Sequence, residues 1–168
     1  HPAYTYRVAE LLKDATERVW GFPYADIVMG CQMANPTHVF RAMASDEPYP
    51  VRAFFTLGNN TLLSYPNQQQ ILKALMNQEL IVAHELFMTP TAMLADYVLP
   101  GDVFTERNHV ADTWSWTTRL TLSQKVVDPP ADASNSYQFW RDLAVRFGFV
   151  DRFPWETLED VLDYRLSR

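Results

Sequence analysis

Three short groups of residues in this chain have the types and spacing to hold a phosphorylated, sugar-bearing ligand. The first is Gly58-Asn59-Asn60, which ends the apolar run Val51–Leu57. Gly and Asn both tolerate positive φ. A turn of these residues at the carboxyl end of a strand leaves backbone N–H groups for an oxyanion, and the Asn amide can hydrogen-bond a ribose or base. The same spacing also makes a plain strand-to-helix turn. The second group is His84-Glu85, after the apolar stretch Leu80–Ala83. A carboxylate there can accept two ribose hydroxyls; His84 reads equally as a ligand contact or a satisfied loop histidine. The third is Thr89-Pro90-Thr91, a helix-start pattern whose hydroxyls cap the helix or leave N–H groups for a phosphate. Arg107, in Glu106-Arg107, is either a partner for a diphosphate or a surface charge.

Other chemistries are missing. The one cysteine, Cys31, allows no disulfide within the chain and no cysteine-rich metal cluster, and it reads as a small buried hydrophobe. His1, His38, His84 and His109 lack metal-ligand spacing, so no metal-binding residue is expected. There is no P-loop, no GxSxG and no GxGxxG. No catalytic residue can be named. The pair Trp114 and Trp116 reads as packing or as an interface.

These groups need elements to position them. Val8, Leu11, Leu12, Ala15 and Val19 recur at helical spacing, so residues 4–20 read as an amphipathic helix. Asp26–Gly30 reads as a short strand. Pro36–Ala44 reads as a helix, with Asn35 as its cap. Val51–Leu57 reads as a central strand covered on both faces. Ser64–Asn67 begins a helix that buries Ile71, Leu72, Leu75 and Met76, and Leu80–Ala83 is the next strand. The unit is roughly 35 residues long, the usual size of a right-handed parallel βαβ crossover. Thr89–Ala95 reads as a short helix, Tyr97–Leu99 as a third strand and residues 101–113 as loop. Thr117–Val127 alternates loosely and suggests a strand or hairpin. Tyr137–Phe147 and Pro154–Leu166 read as helices, the first with Phe139, Trp140, Leu143 and Phe147 on one face. The expectation is α/β, a single domain over 1–168 with its core at 46–148 and mainly helical flanks at 1–45 and 149–168.

Of the 168 residues, 48% are apolar and 20% charged, an ordinary globular balance, and the formal net charge is −6. That charge argues against non-specific binding to nucleic acid or an anionic membrane. No apolar run reaches the ~18 residues of a membrane span, so direct membrane insertion is not expected. The chain opens at His1 without Met or signal peptide and reads as a piece of a longer protein. No targeting segment assigns a compartment.

VRAFFTLGNNTLLSYPN, then ELIVAHELFMTPTAMLADYVLP, then FTERN together resemble the molybdopterin oxidoreductase family, related to dimethyl sulfoxide reductase and formate dehydrogenase. That family shows a strand ending in G-x-N, then a run of the type VV-x-D-x-F-x-T-x-T-A-x-x-ADVVLP, then an aromatic followed by E-K or E-R. The resemblance covers roughly residues 46–148, and MTPTAMLADYVLP is its most specific part. It implies the family's third domain, a Rossmann-like three-layer unit with a short, mostly parallel sheet and flanking helices. In such enzymes that domain holds the guanosine diphosphate part of one of two molybdopterin guanine dinucleotides around Mo or W. Carried over by position, Gly58 and Asn60 are the G-x-N pair, and Asn60 stands where the family's Asn contacts the dinucleotide. His84 and Glu85 stand at its nucleoside end, Thr89 at the Thr of F-x-T, and Arg107 at a basic position facing the cofactor. Three positions depart from the pattern: Glu85 replaces the usual Asp, Thr61 replaces the common Pro, and Ser136 stands where many members have Asp.

The resemblance implies a parent enzyme doing redox or oxygen-atom chemistry at Mo or W, with this piece catalytically silent alone. The metal ligand, and a 4Fe–4S cluster if the parent has one, would lie outside this chain. Its partners would be the parent's other domains and electron-transfer subunits. The isolated piece is expected to self-associate, or to have disordered loops around 101–116, because neighbours normally cover its surface. Two other readings compete: a stand-alone nucleotide-binding module and an aromatic protein-interaction domain. The cofactor-domain reading, taken as the first, predicts that the coding sequence continues on both sides, with a cysteine cluster upstream. The second predicts binding of a simple nucleotide, and the third a stable complex without one.

Overall fold

The computed structural model describes residues 36–112 and 120–167. The expected helix at 4–20, the strand at 26–30, Cys31 and the Trp114–Trp116 pair lie outside the described residues.

Helix α1 (Pro36–Ser45) leads to strand β1 (Ala53–Leu57), a helical turn α2 (Thr61–Ser64), helix α3 (Gln68–Met76) and strand β2 (Leu80–Glu85). A 3₁₀ turn at Ala92–Leu94 precedes β3 (Tyr97–Pro100). Next come β4 (His109–Asp112), β5 (Leu120–Ser123), helix α4 (Ser136–Arg146), a 3₁₀ turn at Val150–Arg152 and helix α5 (Leu158–Leu166). The sheet order is β1-β2-β3. Its strands run parallel: Leu80 N–H, at the start of β2, donates to the Arg52 carbonyl just before β1, and Asp96 N–H, just before β3, donates to Ile81. At the far ends, Gly101 N–H donates to the Glu85 carbonyl. This is the expected α/β, Rossmann-like arrangement.

The described residues form two compact units, one comprising residues 36–83 and 88–97 and the other 84–87, 98–112 and 120–167. In the first, the core is Phe40 and Met43 of α1, Ile71, Ala74 and Leu75 of α3, and Ile81 of β2. The spacing 71, 74, 75 is one helical stripe. Leu72 and Met76, expected in that face, are exposed, because they sit a residue beyond the stripe. Asn77 closes α3 by donating from its amide to the Met43 carbonyl of α1 at 2.9 Å.

The second unit carries the antiparallel pair β4–β5, with His109 opposite Ser123 and Val110 opposite Leu122. Strand β4 corrects the expected loop over 101–113. Asn135 caps α4 through its side chain, which accepts from Gln138 N–H at 2.9 Å. Trp155 ties α4 to the residues before α5: its carbonyl accepts from the Tyr137 hydroxyl at 2.6 Å and from Arg141 Nε at 2.7 Å. Burial is the main influence pushing the Tyr137 hydroxyl pKa up. Ala144, not the expected aromatic face, is the buried residue of α4; Trp140 and Phe147 are exposed.

Other boundaries also shift. Helix α3 starts at Gln68, where Asn67 in the left-handed region (φ 62°) caps it, so the segment from Ser64 to Asn67 is not helical throughout. The expected helix at 89–95 shrinks to the Ala92–Leu94 turn. Helix α5 starts at Leu158, four residues after Pro154. The central strand of the described sheet is β2, buried from Ile81 to Glu85. Strand β1 lies at one end of that order and is only partly buried.

Candidate nucleotide-binding residues

In the first unit, the loop after β1 starts with Gly58 at φ +61°. A Cβ there would meet nothing within 4 Å, so glycine serves the backbone conformation and not a close approach. The Asn59 carbonyl accepts from Thr56 Oγ1 at 2.8 Å, which closes the loop onto the strand. The Asn60 carbonyl accepts from Leu63 and Ser64 N–H, starting α2. Its side chain does not cap that turn. Instead Asn60 Oδ1 accepts from Thr91 Oγ1 at 2.9 Å, and Thr91 Oγ1 accepts from Leu62 N–H at 2.9 Å. Thr91 is fully buried. Thr89 Oγ1 accepts from Ala92 N–H at 3.1 Å, at the start of the 3₁₀ turn, but the N-cap position is Thr91 and not the expected Thr89. Val39, Phe40, Phe54, Thr56, Asn59 and Thr61 line a mostly apolar groove beside this loop.

Asp96 is a residue that the sequence reading left without a role. Its carboxylate accepts from Ile81 N–H at 2.7 Å while its own N–H donates to the Ile81 carbonyl. Both polar groups of Ile81 are thus held by one residue, which sets the start of β2 against β3. The motif run LADYVLP carried that signal, since a short acidic side chain just before a strand has few other uses.

In the second unit, His84 is buried, with Nε2 2.8 Å from the Ser134 carbonyl and its ring 5.7 Å from that of Phe139. That nitrogen donates, because a carbonyl only accepts. Backbone bonds reinforce this junction: Asp102 N–H donates to the Ser134 carbonyl and Ser134 N–H to the Pro100 carbonyl. Glu85, the last residue of β2, is 9% exposed, and its Oε1 is buried without a hydrogen-bond partner among the described residues. An orphaned acceptor of this kind costs folding energy unless a ligand or water completes it. Arg107 Nη1 pairs with the Asp102 carboxylate and donates to the Asp102 carbonyl at 3.2 Å. The Asp102 side chain is buried and that of Arg107 partly exposed. Arg107 is therefore anchored on one side, with Nη2 and Nε left unbonded among the described residues.

The molybdopterin oxidoreductase family profile matches residues 23–146. The chain belongs to the molybdopterin oxidoreductase family. It is 48% identical to acetylene hydratase of Syntrophotalea acetylenica over 99% of its own length and 23% of that protein. It is 27% identical to the thiosulfate reductase molybdopterin-containing subunit PhsA of Salmonella typhimurium, over 73% of this chain and 16% of that protein. Against trimethylamine-N-oxide reductase of Haemophilus influenzae the identity is 29%, over 72% of this chain and 15% of the other. The structure of acetylene hydratase from Pelobacter acetylenicus superposes with a TM-score of 0.80, covering 99% of this chain and 23% of that one. The chain thus spans about a quarter of the length of its relative at 48% identity, and is a fragment of a larger protein.

No group of three or more His, Cys, Asp or Glu suited to a metal ion occurs among the described residues. None of their helices is long and apolar enough to cross a membrane. What the family's cofactor can be tested against here is its organic part. In the second unit, the buried Glu85 carboxylate oxygen without a partner among the described residues fits a ligand rich in hydroxyl and ring N–H donors; in the first unit, taken by itself, the Asn60 amide is bonded only through its oxygen and leaves a donor for a phosphate or carbonyl acceptor.

Proposed function

We propose that this chain is the domain of a Mo or W enzyme that holds the guanosine diphosphate part of a molybdopterin guanine dinucleotide, and that it is catalytically silent on its own. The observation that carries the reading is Glu85 Oε1, a buried acceptor at the carboxyl end of β2 with no partner among the described residues. Open α/β sheets take nucleotides beyond the carboxyl ends of their strands, and a carboxylate there receives ribose hydroxyls or ring N–H donors. When bound, the cofactor supplies the reacting metal centre.

The chain's own residues have three tasks. Glu85 accepts from the nucleoside. Asn60 donates from the loop after β1, and the open side of Arg107 adds positive charge for the diphosphate. Thr89 and His84 support the backbone around these groups and have no direct role toward the ligand in this reading.

The parent's reaction is a second proposal. The identity to acetylene hydratase is 48%, against 27–29% to the two reductases named above. That difference favours addition of water to an alkyne over oxygen-atom transfer. Hydration of acetylene would give acetaldehyde, by way of its enol, with no net redox change.

Both proposals are tested on the full-length parent enzyme. Acid hydrolysis should release GMP together with Mo or W from the wild type, and roughly tenfold less GMP from Glu85→Ala, the loss expected when charge-assisted hydrogen bonds to a ligand are removed. Equal GMP from both would refute the binding site. Supplied with acetylene under reducing conditions, the enzyme should form acetaldehyde; turnover of a sulfur or nitrogen oxide instead would refute the hydratase assignment alone.

A further inference from the structure

The oxygen end of the Asn60 amide is consumed inside the first unit. Leu62 N–H donates to Thr91 Oγ1 at 2.9 Å, and the Thr91 hydroxyl proton is turned toward Asn60 Oδ1, also at 2.9 Å. Thr91 N–H points at the same oxygen from 3.4 Å. A backbone N–H can only donate, so the atom facing it is the amide oxygen, and Nδ2 must face the other way. Thr91 is 0% exposed, so its hydroxyl has no water to trade with. Asn60 itself is half-buried, and Nδ2 has no partner among the described residues.

We propose that Thr91 is a positioning residue that locks Asn60 as a pure hydrogen-bond donor, so that the loop after β1 takes an acceptor atom of the nucleotide and not a donor. Without Thr91 the amide could rotate by half a turn and offer its oxygen, which would repel a phosphate oxygen or a base carbonyl. The lock joins residues about thirty positions apart in sequence, and it explains why a β-branched hydroxyl residue is buried at 91. This inference rests on the dinucleotide-binding reading above.

The test uses the full-length enzyme, with GMP released per chain as the readout and the thermal midpoint as a fold control. Thr91→Ser keeps the hydroxyl and should retain wild-type GMP. Thr91→Val should lower it roughly tenfold. Asn60→Asp keeps an oxygen for Thr91 but turns the outer donor into an anionic acceptor. It should lower GMP as far as Asn60→Ala does while melting close to wild type. If Thr91→Val fails to accumulate, the Thr91→Ser and Asn60→Asp pair carries the test. Wild-type GMP in Thr91→Val alongside loss in Asn60→Ala would overturn the positioning role and leave the binding site standing. Wild-type GMP in Asn60→Asp would overturn the donor role. Wild-type GMP in Asn60→Ala would remove Asn60 from the site altogether.

Discussion

A Cβ on Gly101 would stand 3.2 Å from His84 Cε1 and 3.3 Å from Nδ1, so the absent side chain at 101 is the space that the buried imidazole fills. His84 cannot retreat without giving up its 2.8 Å bond to the Ser134 carbonyl. Gly101→Ala should therefore destabilise the protein by about 1 kcal/mol or more, as overpacking of a tight site does. The denaturant midpoint reads this directly, and an unchanged midpoint would mean that the ring shifts at no cost.

Glu85 should trade stability for function. Its unpartnered Oε1 is a burden on the ligand-free fold. Glu85→Gln removes the full charge with little change of shape. The ligand-free protein should melt at or above the wild-type temperature, while GMP carried by the full-length enzyme falls severalfold.

Arg107 and Asp102 should couple. Removing Arg107 strands the buried Asp102 carboxylate without its charge partner. Arg107→Leu is expected to cost about 2 kcal/mol, below the usual figure for a fully buried pair because the guanidinium is partly exposed. Adding Asp102→Asn should recover much of that loss in a double-mutant cycle. Additive effects would show that the pair contributes nothing beyond its parts.

The capping box of α5 should carry a pH signature. Thr157 Oγ1 accepts from Asp160 N–H at 3.2 Å, and the Asp160 carboxylate accepts from Thr157 N–H at 2.9 Å. The hydrogen bonds from Thr157 hold the Asp160 pKa below its ordinary value of 3.8. A carboxylate lowered in the fold stabilises above its unfolded pKa, and that contribution fades as pH falls through the lowered value. The helix content of α5 should hold at neutral pH and drop below about pH 4. Thr157→Ala should cost about 1 kcal/mol at pH 7. Asp160→Asn should flatten the acid-range dependence, as read by NMR shifts of 158–166.

What could be read from the sequence were the features with local causes. Gly58 announces a positive φ, and the apolar runs 51–57 and 80–83 two strands. The family resemblance of MTPTAMLADYVLP is matched by the profile over 23–146. Features set by distant partners could not be read. The order β1-β2-β3 depends on which strand lies between the other two, and both apolar runs qualified for that place. Strand β4 has a polar approach and is defined by β5, eight residues beyond its end. Thr91 looks like a second capping hydroxyl until Leu62 and Asn60 are seen against it. The exposed faces of Trp140 and Phe147 carry the apolar signal of a core, because hydrophobic spacing does not say what covers a face.

An experimental structure of the full-length enzyme with its cofactor bound tests the central claim most directly. The expected result is a guanosine diphosphate moiety within hydrogen-bonding distance of Glu85 Oε1. A dinucleotide whose guanosine end rests on another domain, with the Glu85 carboxylate bare, would contradict the account.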